Sequence, residues 1–478
     1  MRIQFSGADR TVTGSCHLLE INGLRLMLDC GFYQGRRDEA RRLNQYVPDD
    51  VKSYDALILT HGHLDHCGKL PVVVRHGFNR PIYCTPATAE VARIVLEDAA
   101  EIQVEDAQYL NRRAVAPAEE PIDPLYTPAD VPNVLRLFKR TPYGTKFDLG
   151  NGVSATFRDA GHILGSAYVV LEWEEAGRRR SLLFTGDIGR YGSPILRDPA
   201  PPTGPADHVI TESTYGNAAH APMDQIGPQL LDAATTCARR GGRLIVPAFA
   251  VGRTQTVLWY MKQFMGQNLL PRMPVFVDSP MGVEVTKVHH TFRSEYDEQT
   301  LDMVGDGGLF HGVTFTASRE QSKQVNRHRG PCVIVASSPT CEFGRVLHHL
   351  VVSVEREEDM VVFVGWTPHH TLGRRLQDGQ KRVRMLDRWY DVRCEVRTIH
   401  GLSAHADKSE LLRFLGPALS PQTTVYVVHG EPPQAEGFAQ ALLERGVQDA
   451  IVPAMETSVV AYAGAQKRQP APLPGDVE

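Results

Sequence analysis

Residues 56–66 read ALILTHGHLDH, an apolar run that ends abruptly in three histidines and an aspartate. A short apolar run of this kind is the mark of a buried strand. His61, His63, Asp65 and His66 therefore crowd together at one strand end. Packed that closely, imidazoles and a carboxylate compete for donors and repel one another unless a cation sits among them. Neutral imidazole nitrogen and carboxylate oxygen are ligands that zinc accepts, at about 2.0–2.2 Å. A solvated polar loop is the plainer alternative, and two further segments count against it. VSATFRDAG (153–161) runs into His162, and SLLFTGD (181–187) ends in Asp187, each an apolar strand meeting glycine and one potential ligand. Singly, the histidine reads as a hydrogen-bonded structural residue and the aspartate as a turn residue. Together, at the strand ends of one sheet, they converge as the sites of open α/β folds do.

Outward from this stretch the chain alternates in character. HLLEI, Asn22-Gly23 and LRLMLDCG make a hairpin with a two-residue turn. A helix is expected from about residue 69, PIYCT (81–85) is a short strand, and 88–114 carries helical periodicity. Residues 115–133 hold five prolines and read as a loop. Strands follow at 153–161, 167–175, 181–187 and 207–214. From about 215, helical stretches (224–239, 252–267) alternate with the apolar runs GRLIVPAF, PVFVDSP, PCVIVASS and MVVFVGW. That alternation implies βαβ units and a mostly parallel sheet. After about 385, short strands return in CEVRTIHG and TTVYVVHG, with a helix at 433–445, and AQKRQPAPLPGDVE reads as a disordered tail. The plan is an α/β domain, an inserted α/β domain and a return to the first.

Length and composition bound the function. The chain has 478 residues, enough for two or three domains. A formal net charge of −5 excludes a uniformly basic coat for nucleic acid but not a local basic groove. The eight cysteines are scattered without a CxxC pair, which argues against a thiolate zinc site and for reduced, buried thiols. The N-terminal residues lack the apolar run of a signal peptide, and no stretch approaches the ~18 apolar residues of a membrane helix. The expectation is a cytoplasmic protein with no membrane partner.

In order along the chain, HxHxDH at 61–66, the lone His162 of a GH pair and the GD of Asp187 resemble the ligand series of the metallo-β-lactamase superfamily. Asp29 in LMLDCG matches its first motif, a residue that supports the site. The resemblance extends over nearly the whole chain to the β-CASP nucleases. TESTYG matches their motif A at Glu212, SAHAD motif B at His405 and VVHGE motif C at His429. PAFAVGRTQT and VFVDSPMGVEVT resemble their inserted domain. Two departures stand out: SSPTCEFGR (337–345) replaces a glycine-rich pattern, and His370 stands where relatives often have glycine before TLGRR. The resemblance implies an α/β fold, a metallo-β-lactamase αββα sandwich with an inserted β-CASP α/β domain built on a mostly parallel sheet. The expected boundaries are 1–208 for the N-terminal part, 209–383 for the insertion, 384–464 for the return and 465–478 for the tail.

The same resemblance implies two zinc ions per chain. One takes His61, His63 and His162; the other takes Asp65, His66 and His429; Asp187 bridges them, with a water or hydroxide between. The implied reaction is hydrolysis of an RNA phosphodiester by that hydroxide, with His405 as general acid and Glu212 orienting it. The products would be a 5′-phosphate and a 3′-hydroxyl, by endonucleolytic cleavage with an exonucleolytic mode as the other option. Histidine at motif C, where DNA-repair members usually have valine, points to RNA. Candidate contacts to a single-stranded substrate are Arg253 at a helix start, Ser337 and Ser338 at a strand end, and Arg374 in the basic stretch 374–393. That stretch reads equally as a solvated face. A homodimer is compatible with the sequence. Two other readings are a metallo-hydrolase of a small ester, thioester or phosphodiester, and a non-catalytic RNA-binding subunit of the same family. The insertion of roughly 170 residues argues against the first, and the complete ligand set against the second.

Overall fold

The hairpin at the start of the chain shows how the sequence folds locally. Strands His17–Ile21 and Leu24–Leu28 pair antiparallel with Ile21 opposite Leu24. Asn22 and Gly23 both adopt positive φ (53° and 76°), as this two-residue turn requires. The computed structural model describes the chain apart from residues 36, 49, 114–120, 305–307, 366, 369, 456, 463–464 and 470–478. The chain packs as two compact units. The first is Met1–Tyr191, Pro199–Ala219 and His405–Glu478; the second is Gly192–Asp198 and His220–Ala404.

In the first unit two sheets face each other. Among the described residues one has eight strands, in the order Ala465–Gln469, Ser458–Tyr462, Arg2–Phe5, His17–Ile21, Leu24–Leu28, Ala56–Ile58, Ile82–Cys84 and Phe138–Arg140. The other has seven, in the order Asp449–Ile451, Thr424–Val427, His208–Thr211, Arg178–Phe184, Ala167–Glu175, Val153–Asp159 and Lys146–Gly150. Phe5, Leu26 and Ile58 from the first meet Phe157, Val169, Phe184 and Tyr426 from the second in one apolar core. Each such fully buried side chain is worth about 1.5–3 kcal/mol. Strand residues of the opposite parity, Tyr168, Leu183, Val209 and Val425, pack instead with Phe414 and Phe438 from helices Lys408–Leu415 and Pro432–Glu444. The period-2 alternation of strands thus serves two layers at once, which is the expected αββα sandwich.

The second unit holds a six-stranded sheet in the order Val313–Phe315, Val275–Asp278, Cys332–Ala336, Arg243–Pro247, Met360–Phe363 and Glu395–Thr398, with every neighbouring pair parallel. Leu244, Val246, Val277, Val335 and Val362 face one core, with Val257 and Leu258 of helix Arg253–Gly266. Ile245, Ile334, Val361 and Phe363 face the other, with Val346 and Leu350 of helix Arg345–Ser353. Burial on both faces explains why these strands read as continuous apolar runs rather than alternating ones. At one strand end Asp278 is wholly buried. It accepts hydrogen bonds from Thr316 Oγ1 (2.5 Å), Ser322 Oγ (2.5 Å) and Arg345 Nη1 (2.5 Å), and faces His349 Nε2 at 2.7 Å. Burial raises its pKa, but these partners outweigh it and hold the carboxyl well below its ordinary value.

Four details differ from the sequence reading. The strand of CEVRTIHG does not open the return: Glu395–Thr398 pairs parallel with Met360–Phe363, so the second unit runs to Ala404. Conversely, His208–Thr211 lies between Arg178–Phe184 and Thr424–Val427, and the chain stays in the first unit to Ala219. Short apolar strands look alike in sequence whichever sheet they join. Ala465–Gln469 forms a strand against Ser458–Tyr462 where a disordered tail is expected, and the rest of that tail lies outside the described residues. Within the proline-rich 115–133, Val131–Leu135 is a short helix with Pro132 in its first turn, where a missing N–H costs nothing; 115–120 lie outside the described residues. Among the described residues no helix is long and apolar enough to cross a membrane.

Candidate metal centre

Strand ends in the first unit, with one short helix and one helix-leading loop, deliver the side chains of the centre. After Ala56–Ile58 the chain passes Thr60 and His61, and His63 then precedes the one-turn helix Leu64–Cys67, which carries Asp65 and His66. The Asp65 carbonyl accepts from Ser15 N (2.8 Å) and the His66 carbonyl from Cys30 N (2.8 Å), pinning this turn to the loop that holds Asp29. A Cβ on Gly31 would lie 1.6 Å from the Asp65 carbonyl oxygen, so only glycine lets the two backbones meet. His162 follows strand Val153–Asp159, its N–H held by Ser166 Oγ (2.9 Å). Asp187 follows Arg178–Phe184. A Cβ on Gly189 would lie 1.9 Å from the Gly161 carbonyl oxygen, so the DAGH and GDIG loops lie backbone to backbone and bring Asp187 beside His162. Glu212 and His429 follow the adjacent parallel strands His208–Thr211 and Thr424–Val427. His405 pairs with Gly189 in a single β-bridge, just ahead of helix Lys408–Leu415.

The seven expected ligands fall into two groups. In one, His63 Nδ1 lies 3.1 Å from His61 Nε2 and 3.2 Å from His162 Nε2, and Asp187 Oδ2 lies 3.5 and 3.6 Å from the same two Nε2 atoms. In the other, His429 Nε2 lies 3.3 Å from His66 Nε2 and 3.5 Å from Asp65 Oδ2. Asp187 joins them, with Oδ2 3.3 Å from His66 Nε2 and Oδ1 3.6 Å from His429 Nδ1. Asp29 stands behind His66. Its Oδ2 faces His66 Nδ1 at 2.8 Å and accepts from Thr60 Oγ1 (2.8 Å), while its Oδ1 accepts from Thr60 N (2.8 Å). His405 Nδ1 faces Glu212 Oε2 at 3.1 Å, and its ring centroid is 4.5 Å from that of His162. Glu212 is fixed in turn by Ile188 N (2.6 Å) and Thr214 N (3.4 Å). Asp29 and His429 both have positive φ (56° and 48°), a strained backbone that tends to gather at functional sites.

The electrostatics suit cations. Burial drives His61 well below its ordinary pKa and His63 down to about 4, so both are neutral donors at neutral pH. Burial pulls the carboxylates upward, but the histidines outweigh it, holding Asp65 at about 2 and Asp187 well below its ordinary value. Asp187 Oδ1 is buried without a hydrogen-bond partner among the described residues, which is the signature of an acceptor meant for something else. The donors are imidazole nitrogen and carboxylate oxygen alone. Cys67 is no thiolate: its Sγ–H donates to the Gly62 carbonyl (3.6 Å), and burial pushes its pKa up. Burial lowers His405, yet Glu212 and Asp187 prevail and raise it to about 9, keeping it protonated.

The sequence reading missed two hydroxyls. Thr60 Oγ1 bridges Asp29 and His61 Nδ1 (3.1 Å), and Thr214 Oγ1 lies 3.0 Å from His429 Nδ1. Threonine is an ordinary strand residue, so only its place beside a ligand marks it. The four substrate candidates all belong to the second unit. Arg253 starts helix Arg253–Gly266, with its guanidinium 5.0 Å from the Phe249 ring. Ser337 Oγ donates to Ser279 Oγ (3.2 Å), and Ser338 Oγ pairs with Thr340 Oγ1 (2.7 Å). Arg374 pairs with Asp378 at 2.9 Å and borders a small cavity with His370 and Arg375.

Three family descriptions match the chain: the Metallo-beta-lactamase superfamily over residues 9–248, the Beta-Casp domain over 254–376, and the Zn-dependent metallo-hydrolase RNA specificity domain over 389–453. A ribonuclease of Thermus thermophilus is 35% identical, covering 93% of this chain and 97% of that protein. The transcription termination factor FttA of Methanosarcina mazei is 28% identical, over 93% of this chain and 69% of its own length. A crystal structure described as a protein of unknown function from Enterococcus faecalis shares the fold, with a TM-score of 0.54 at 11% identity, covering 96% of this chain and 99% of that one.

Proposed function

Because the chain belongs to the metallo-β-lactamase superfamily, and within it to the β-CASP family, we propose that it is a metal-dependent ribonuclease hydrolysing RNA phosphodiester bonds. One observation carries the reading: seven nitrogen and oxygen donors from four separate segments meet in two groups that share Asp187, with the Glu212–His405 pair beside them. Two zinc ions fit that donor set, one held by His61, His63 and His162, the other by Asp65, His66 and His429, with Asp187 common to both. Bound there, they would lower the pKa of a shared water and offset charge on the phosphate oxygens. Asp29 and Thr60 fix the ring orientation and tautomer of the histidines they touch.

The rest of the chemistry falls to the protein's own groups. Glu212, anchored by two backbone N–H groups, orients His405 and favours its protonated form. With Nδ1 committed to Glu212, the proton delivered to the leaving ribose oxygen is the one on Nε2. That direction of cleavage leaves a 5′-phosphate and a 3′-hydroxyl. RNA is favoured over DNA by His429 and by the match to an RNA specificity domain at 389–453. Arg253, Ser337, Ser338 and Arg374 are the contacts we assign to the RNA backbone, and internal cleavage is the preferred mode.

The test is cleavage of labelled RNA alongside metal analysis, with a generic thioester as the competing substrate. His405→Ala should keep its zinc and lose activity by about 10²–10⁴-fold. Thioester turnover without RNA cleavage, or equal loss of metal and activity in that variant, would refute the assignment.

A further inference from the structure

A two-stranded hairpin in the second unit, Arg382–Met385 paired with Arg388–Asp391, has two unlike faces. Val383 and Met385 are buried in the second unit's core. The register sets Arg384 opposite Trp389 and Arg382 opposite Asp391, so Arg382, Arg384 and Trp389 share the outer face. There Trp389 is 59% exposed, and Leu386 at the turn is 52% exposed. Leu386 and Asp387 both have positive φ (46° and 64°), a conformation that leucine takes only at a cost. Leu386 and Trp389 are close on one hairpin and rimmed by arginines, and a grouped apolar patch with a charged rim is the kind of surface that marks an interaction site.

The chemistry of the face identifies that ligand. Residues 374–393 carry seven arginines and lysines against three aspartates. The Arg382 guanidinium lies 5.5 Å from the Trp389 ring centroid, and a groove of about 570 Å³ runs past Arg375, Arg382, Arg384 and Trp389. The arginines are paired to Asp391 (3.6 Å) and Asp387 (3.1 Å), but exposed pairs of this kind are worth only about 0–1 kcal/mol, so a phosphate can replace either acid. A free base offers a π-face for the indole, and its flanking phosphates match the arginine fork; a duplex keeps its bases stacked and hidden. An acidic protein would engage the arginines, but it does not place a planar ring between successive anionic groups as a single strand of RNA does at every nucleotide.

We propose that this face is a platform for single-stranded RNA, with Trp389 stacking on a base and Arg382 and Arg384 pairing with adjacent phosphates. The proposal rests on the reading of the chain as a ribonuclease and assigns the second unit a substrate-holding surface. Trp389→Ala should raise Kd for a fluorescein-labelled oligouridylate about tenfold by anisotropy, and Trp389→Phe should retain most of the affinity. Arg382→Ala with Arg384→Ala should flatten the salt dependence, by about 0.7 in log–log slope per arginine. In cleavage assays of the zinc-loaded protein, Trp389→Ala should raise KM and leave kcat and metal content unchanged. Unchanged Kd and KM in all these variants would overturn the proposal, as would unchanged Kd with altered sedimentation, which would make the hairpin a self-association surface. If the wild-type chain cut no RNA but still lost affinity on Trp389→Ala, the platform would stand and the nuclease reading alone would fall.

Discussion

Asp187 touches both groups of proposed ligands and carries a buried oxygen with no hydrogen-bond partner among the described residues. If the two-zinc proposal holds, Asp187→Ala should strip or scramble both metals rather than one, and wild-type zinc content by mass spectrometry would contradict the shared role. Thr60 poses a finer question. Its hydroxyl donates to Asp29 and faces His61, so Thr60→Val keeps shape and removes only the hydrogen bonds. Metal affinity should fall about 10–100-fold in a chelator competition, with the fold intact by circular dichroism. The positions proposed as ligands could be picked out because they follow apolar strands with groups that burial would otherwise penalise. The supporting hydroxyls could not, because a threonine just past a strand end needs no explanation until its neighbours are known.

At the scale of elements, the second unit's parallel sheet ends on one buried charge. Asp278 ties Thr316, Ser322, Arg345 and His349 to a single strand end, so it locks the Arg345–Ser353 helix against the sheet. Asp278→Ala should cost about 3–5 kcal/mol in denaturant unfolding, since it leaves buried partners uncompensated. The pH sense follows from the depressed carboxyl. Its contribution is full above the unfolded value near 4 and is lost as pH falls toward the lower folded value, so the variant's deficit should shrink on acidification below about pH 4. A deficit independent of pH would remove the carboxylate from the account. Helices and strands were readable here from periodicity and from runs buried on both faces. Their allocation to sheets was not: Glu395–Thr398 joins Met360–Phe363 through backbone hydrogen bonds that side-chain pattern does not encode.

For the molecule as a whole, an insertion flanked by two parts of one unit could be foreseen from the sequence and the points of passage could not, because the chain changes unit inside loops of unremarkable composition near 191, 198, 219 and 404. The mode of cleavage is a property at this scale too. A circular RNA has no end, so linearisation by the purified chain, seen as a shift on a denaturing gel, is the expected result of internal cutting; an untouched circle beside a degraded linear RNA would show an end-dependent enzyme. The span of the donor set carries a last consequence. His61 and His429 are separated by most of the chain, with the whole second unit encoded between them. A polypeptide still emerging from the ribosome owns the early histidines long before it owns the late one, and such distant partners are slow to find each other. On the proposed assignment, a half-made copy would hold only part of the donor set, so metal loading and cleavage would have to wait for the last stretch of the chain.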